Sequence, residues 1–186
     1  MFYGYYYFYY DQGYTGRNQF IFGVQMTSPT QLGDEGFEAD GDDEDSGNQP
    51  TTAPTIYNAT LIGNADDSGV LAKEGFRGRI SNSIFVNFTA GVRLDDDASR
   101  PVFDALDNFN DGSLIFTNNA FDGVTDIQRV NGSPAPASVL NTFTNAGNSF
   151  QSGIIDFDFE INPDAGNSVT NAYNAVPNAG TATSPE

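Results

Sequence analysis

The side chains here with the most chemical reach are carboxylates. Asp34, Glu38, Asp40, Asp42 and Asp43 recur within one acidic stretch, and Asp95, Asp96 and Asp97 form a second group. Alternating carboxylates on a loop with glycine carbonyls nearby supply the six to eight hard oxygens that calcium takes. A simply solvated acidic loop is the favoured reading, and calcium is the cofactor that the pattern would otherwise hold. An EF-hand is not among the options, because Asp40-Gly41-Asp42-Asp43-Glu44-Asp45 lacks glycine at its sixth position. Arg77 and Arg79 precede an apolar segment that Asp95, Asp96 and Asp97 follow. They would make either a carboxylate–arginine cluster or a turn with its salt bridges.

Other chemistry is excluded by residue type. Cysteine and histidine are absent, which removes disulfides, thiolate catalysis, serine–histidine triads and Cys- or His-ligated zinc from within the chain. Asn58-Ala59-Thr60, Asn87-Phe88-Thr89 and Asn131-Gly132-Ser133 match the glycan-acceptor pattern. In a chain rich in Asn, Ser and Thr, chance alone produces such matches. The aromatic residues of the first ten positions, with Tyr14, Phe20 and Phe22, would stack on sugars, form a subunit contact or pack inside a neighbouring coil.

The charge balance narrows the partners. Lys and Arg number 7 against 25 Asp and Glu, for a formal charge of -18. Such a surface repels nucleic acid and anionic membranes, and no apolar run is long enough to span a bilayer. Only 17% of residues are charged, below the usual quarter or so, and Asn, Gly, Thr and Ser fill the space, as in exported bacterial β-proteins. A secreted or cell-surface location is expected. Residues 2–10 are aromatic apart from Gly4, and the N-terminus has neither the basic region nor the cleavage site of a signal peptide. They are expected to pack against something outside the chain, or to mark it as a fragment.

The elements that must position these groups are strands. Apolar segments at 19–25, 55–62, 79–88, 113–121, 138–143 and 153–161 are short and bounded by Asn, Gly, Asp, Ser or Pro. One brief helix is expected over 101–109, opened by Pro101, with an apolar face at Val102, Phe103, Leu106 and Phe109. Internal similarity favours a solenoid over a sandwich. Asn58, Asn82 and Asn118 occupy matching places in similar segments, 82 − 58 = 24 and 118 − 82 = 36 residues apart, and Asn141 follows 23 later. Asn18 and Asn171 are fainter echoes. Coils of about two dozen residues with looped-out insertions fit this spacing, with the asparagines turned inward to form a ladder. A single domain over 1–186 is expected. It carries an acidic loop insertion without strand pattern at 33–50 and an irregular tail at 174–186.

Several phrases in order carry a resemblance: Asp11-Gln12-Gly13-Tyr14-Thr15-Gly16, Gly36-Phe37-Glu38-Ala39-Asp40, Pro54 to Gly63, Asn82 to Phe85, and Asp111 to Phe116. Across about residues 11–125 the chain resembles secreted bacterial right-handed parallel β-helix surface proteins of uncharacterised function, related in fold to pectate lyases. Residues 2–10 depart from that group, which usually has an Asp-rich strand there. The resemblance implies an all-β, right-handed parallel β-helix, here a piece of a longer solenoid.

The expected role is a non-catalytic extracellular surface or matrix protein: a rod that adheres, displays loops, or assembles with its own copies or neighbouring coils. The alternatives are a polysaccharide-active enzyme and a carbohydrate-binding module on the same scaffold. Pectate-lyase-like catalysis would need calcium, an acidic sugar and an Arg or Lys base, and glycoside hydrolysis would need two carboxylates at a set separation. A negative chain disfavours a polyanionic substrate, and an enzyme is the less favoured class.

Overall fold

The computed structural model describes residues 8–25, 34–41, 51–97 and 104–151. Five successive coils stack along one axis. The first three comprise β1 (Phe8–Tyr10), β2 (Arg17–Gln19) and β3 (Phe22–Val24); β4 (Phe37–Asp40), β5 (Thr55–Tyr57) and β6 (Thr60–Ile62); and β7 (Ser68–Lys73), β8 (Gly78–Ser81) and β9 (Ile84–Val86). The fourth holds β10 (Ala90–Leu94), helix α1 (Ala105–Asp111), β11 (Leu114–Thr117) and β12 (Ala120–Asp122). The fifth holds β13 (Asp126–Val130), β14 (Ser133–Pro134), helix α2 (Ala137–Asn145) and β15 (Ser149–Gln151).

Each strand pairs in parallel with its counterpart one coil away, giving three sheets in the orders β1-β4-β7-β10-β13-β14, β11-β8-β5-β2 and β15-β12-β9-β6-β3. The single antiparallel pair among the described strands is the small β13–β14 ribbon. This is the expected parallel β-helix. We call the sheets A, B and C in that order.

The corner between sheets B and C sets the coil. Phe20, Asn58, Asn82, Asn118 and Gly147 all have positive φ, between 55° and 84° apart from Asn82 at 51°. Asparagine tolerates this left-handed conformation better than most side chains. The registers Thr55↔Arg79 and Ile115↔Arg79 reproduce the 24- and 36-residue spacings. The direction of the ladder differs from expectation. Asn82 and Asn118 are exposed and Asn58 is half-buried, with Asn82 Nδ2 donating to Asn58 Oδ1 on the outer surface. A left-handed residue turns the chain so that the next residue points inward.

That next residue carries the buried ladder. Ser83 Oγ accepts from Ala59 N at 3.1 Å, and Asn119 Oδ1 accepts from Ser83 N at 3.0 Å. Asn148 Oδ1 accepts from Asn119 N and Nδ2 at 3.1 and 2.9 Å. The remaining amide protons go to Ile80 O from Asn119, and to Phe116 O and Phe143 O from Asn148. These bonds satisfy polar groups that would otherwise be buried without partners.

Apolar side chains stack between coils in the same way. Ile56, Ile80 and Phe116 align in sheet B, and Leu61, Phe85 and Phe121 in sheet C. The rings of Phe85 and Phe121 stack at 5.2 Å and 12°. A glycine row makes room for them. A Cβ on Gly69 would sit 2.8 Å from Gly91 O and 2.9 Å from Phe85 Cδ1; on Gly91, 2.5 Å from Ile127 O and 2.6 Å from Phe121 Cδ1.

Four sequence expectations are corrected. Segment 138–143 is not a strand but part of α2, so Asn141 is no ladder residue; the matching turn is Gly147-Asn148. Val139 and Phe143 lie one helical turn apart and are both buried, and Phe143 packs 5.8 Å from Phe116 and 5.7 Å from Phe121. The helix thus takes the place of a sheet-B strand in the fifth coil. Helix α1 starts at Asp104, which forms a capping box with Asp107, while Pro101 lies outside the described residues.

The acidic stretch contains a central strand. In β4, Phe37 and Ala39 are fully buried beside Val70 and Ala72, because two inward apolar residues suffice for a three- or four-residue coil strand. Residues 33 and 42–50 of that stretch, the 153–161 segment, Asn171 and the 174–186 tail lie outside the described residues. Finally, of the N-terminal aromatics, Phe8 pairs with Phe37 and Tyr10 is buried against Phe37 and Tyr14, while residues 1–7 lie outside the described residues.

Replacing Asn119 with Ala strands Ser83 N and leaves Ile80 O and Asn148 Oδ1 each one donor short, and should cost about 2–4 kcal/mol in urea unfolding. Gly91→Ala should destabilise by about 1–3 kcal/mol through overpacking. An unchanged unfolding midpoint in either variant would contradict the ladder assignments.

Candidate functional site

Strand alternation places charged side chains on the outside of sheet A. The register aligns Tyr9, Glu38, Leu71, Arg93 and Arg129 in one row, and Asp40 with Lys73 in the row beyond Glu38. Asp95 continues this second row, its N–H donating to Ala72 O at 2.9 Å.

Lys73 is the hub of the face. Its Nζ lies 2.9 Å from Glu38 Oε1 and 3.4 Å from Asp40 Oδ2, and Tyr9 OH donates to Asp40 Oδ2 at 2.8 Å. Burial pushes the Asp40 carboxyl up to about 6, against the lowering effect of Tyr9 and Lys73. Burial also works against the Lys73 charge, but the bond to Glu38 and the nearby carboxylates outweigh it and hold its pKa above the ordinary lysine value. Glu38 Oε2 and Asp40 Oδ1 are buried with no hydrogen-bond partner among the described residues. Further along, Arg93 bridges Asp67 and Asp95 at 3.4 Å each, and Arg129 pairs with Asp126 at 2.7 Å. Burial raises the Asp95 pKa against the pull of Arg93.

A second cluster occupies the corner leading into sheet A. Oxygens of Asp34, Glu35 and Asp67 lie within 4.8 Å of one another. Carried back three residues, the Phe37↔Val70 register puts Asp34 level with Asp67 in the next coil. The Gln25 amide holds the backbone here: Nε2 donates to Asp34 O and Glu35 O, and Oε1 accepts from Asn64 N. Burial, then the charges of Asp34 and Asp67, push the Glu35 carboxyl up to about 8. Burial and the charges of Asp67 and Asp66 likewise raise Asp34.

The expected metal ligands therefore part company. Asp34 joins the corner cluster, Glu38 and Asp40 face Lys73, and Asp42 and Asp43 lie outside the described residues. The second group does not converge. Asp95 meets Arg93; the exposed Asp96 exchanges backbone hydrogen bonds with the Asn131 side chain at 2.8 and 2.7 Å; and Asp97 N donates to Asp104 Oδ2. The cation beside Asp95 is thus Arg93, where the sequence suggested Arg77 or Arg79. Of the glycan-acceptor asparagines, Asn87 and Asn131 are exposed and Asn58 stands on the outer corner.

Glu35, Asp67, Lys73, Arg93 and Tyr9 were missed by the sequence reading. A signal for them exists. Gly36-Phe37-Glu38-Ala39-Asp40, Gly69-Val70-Leu71-Ala72-Lys73 and Gly91-Val92-Arg93-Leu94-Asp95 share a Gly-apolar-x-apolar-x pattern. Stacking these three lines would have brought Lys73 and Arg93 beside Glu38, Asp40 and Asp95, whereas Glu35 and Asp67 lie just ahead of them and Tyr9 in another coil.

A carbon-detected NMR titration should give Asp40 a midpoint near pH 6, well above an ordinary aspartate. An acid whose folded pKa is raised binds more protons folded than unfolded, so its contribution to stability falls as pH rises from about 4 to 6 and is level above that. Asp40→Asn should remove that part of the slope. A midpoint near 4 would show that the carboxyl is well solvated.

The chain was compared with known proteins. No curated protein and no solved structure gives a significant match. The family described as pectate-lyase like beta helix domain matches residues 7–159, a span that takes in every strand described above. The three stacked parallel sheets agree with that match, and the chain belongs to the pectate-lyase-like β-helix domain family.

Proposed function

We propose that this chain is a non-catalytic structural segment of an extracellular surface or matrix protein, a rigid rod that displays loops from its corners. One observation carries the reading: Lys73, Arg93 and Arg129, the cations on the outside of sheet A, are all engaged by carboxylates of the same or adjoining coils. Groups held this way staple coils together and are poorly placed to take a substrate proton. Insertions sit at the corner between sheets A and B, where 41–54 and 95–113 separate strands that only 74–77 separate in the third coil. That is a natural place for display. Adhesion, and association with copies of the chain or with further coils, are the partner interactions this rod would serve, and secretion follows from the same reading. No helix among the described residues is long and apolar enough to cross a membrane.

A polysaccharide-active enzyme is the second reading. It is favoured by the Asp40 carboxyl, held near 6 beside Lys73 on the outer side of sheet A in a pectate-lyase-like fold. The test is an assay of the purified chain on polyuronates and neutral glucans, following reducing ends and unsaturated products, with and without calcium. The expected result is no turnover, with Lys73→Met lowering thermal stability only. Turnover that Lys73→Met abolishes would replace the structural reading with the enzymatic one.

A further inference from the structure

The corner cluster contains a feature the staple on sheet A does not explain. Glu35 is 3% exposed, and its Oε2 is buried with no hydrogen-bond partner among the described residues. That oxygen belongs to a carboxyl grouped with Asp34 and Asp67, all three within 4.8 Å of one another. A buried carboxylate oxygen without a donor is costly, and two more carboxylates adjoin it, while the rest of the Glu35 carboxyl is met by its own backbone N–H and by the Asp34 carboxyl. Among the described residues the cation that reaches the cluster is Arg93, which touches Asp67 at 3.4 Å from the side of sheet A. Asp66 and Glu38 add further negative charge nearby.

The backbone around the cluster is tied down. Gln25 braces Asp34 and Glu35, while Asp66 N and Asp67 N donate to Asn64 Oδ1 and Asp66 Oδ1 at 3.2 and 3.1 Å, and Ser68 Oγ donates to Asp67 Oδ1 at 2.9 Å. The donors are all hard oxygens, and they come from two successive coils.

We infer that Asp34, Glu35 and Asp67 form a divalent-cation site of the calcium class, which clamps the second coil to the third at the entrance to sheet A. Three carboxylates offer up to six oxygens, leaving room for water, a set that suits calcium's large and adaptable shell better than the strict octahedron of magnesium. The ligand set differs from the acidic stretch that the sequence picks out, sharing only Asp34 with it. Asp67 arrives from 33 residues away because one coil separates it from Asp34. The site is independent of whether the rod is catalytic.

Calorimetric titration of the full 186-residue chain with calcium chloride at pH 7.5 should show binding with a Kd on the order of 10⁻⁴ M. Five millimolar calcium should raise Tm by roughly 5 °C over EDTA. Glu35→Gln and Asp34→Asn should each weaken binding at least tenfold, while in EDTA Glu35→Gln should melt no lower than the wild type. In the wild-type chain, calcium should shift the amide signals of Gly36 and Ser68, a reading that holds even if a variant fails to fold. No heat and no Tm change, binding undiminished in both variants, or amide shifts confined to residues 42–45 would each overturn the site, the first pointing to a shared proton in place of a metal.

Discussion

Everything in this molecule depends on keeping successive coils in register, and the tight turn between sheets B and C does that. A left-handed residue reverses the chain there in a single step, and the next side chain is driven into the interior. If that side chain is polar it must find partners, and here it finds them in the coil above and below. The Ser83–Asn119–Asn148 ladder thereby ties the vertical alignment to hydrogen-bond geometry, which is far more directional than apolar contact. Once this corner is aligned, the stacking of Ile56 on Ile80 and of Phe85 on Phe121 follows from the strand pleat.

Coils of variable length are compatible with this constraint because the extra residues leave from other corners. From sheet B to sheet C the path is always two residues, whereas the corner between sheets A and B admits a whole helix. Asn108 of that helix donates to Gly75 O and Phe76 O of the coil beneath, so the insertion is anchored back onto the stack. Helix α2 goes further and substitutes for a strand, covering the aromatic layer of Phe109, Phe116 and Phe121 with Phe143.

Charge is arranged around the same stack. Acidic residues outnumber basic ones by 25 to 7, and among the described residues Lys73, Arg93 and Arg129 are gathered on sheet A. A lysine shared by Glu38 and Asp40 at low exposure interacts more strongly than a surface pair would. Lys73 pairs with Glu38 and Asp40, while the corner cluster of Asp34, Glu35 and Asp67 meets sheet A through Arg93 on Asp67.

The sequence by itself determined the class of fold, because its strands are short, its turns are marked by Asn and Gly, and Asn58, Asn82 and Asn118 recur at spacings the registers reproduce. It also determined what chemistry is impossible, since residue types that are missing cannot be supplied by folding. It could not say that the strand-like segment 138–143 would wind into a helix, because Val139 and Phe143 suit either period and only the open end of the aromatic layer chooses between them. It hid β4 inside an acidic stretch, where two inward residues, Phe37 and Ala39, suffice once neighbours lie on both sides. Above all, it could not bring Asp67 to Asp34 and Glu35, or Lys73 to Asp40. Those meetings depend on the offset between coils, which is set by the lengths of insertions and is fixed only when the chain has closed a full turn on itself.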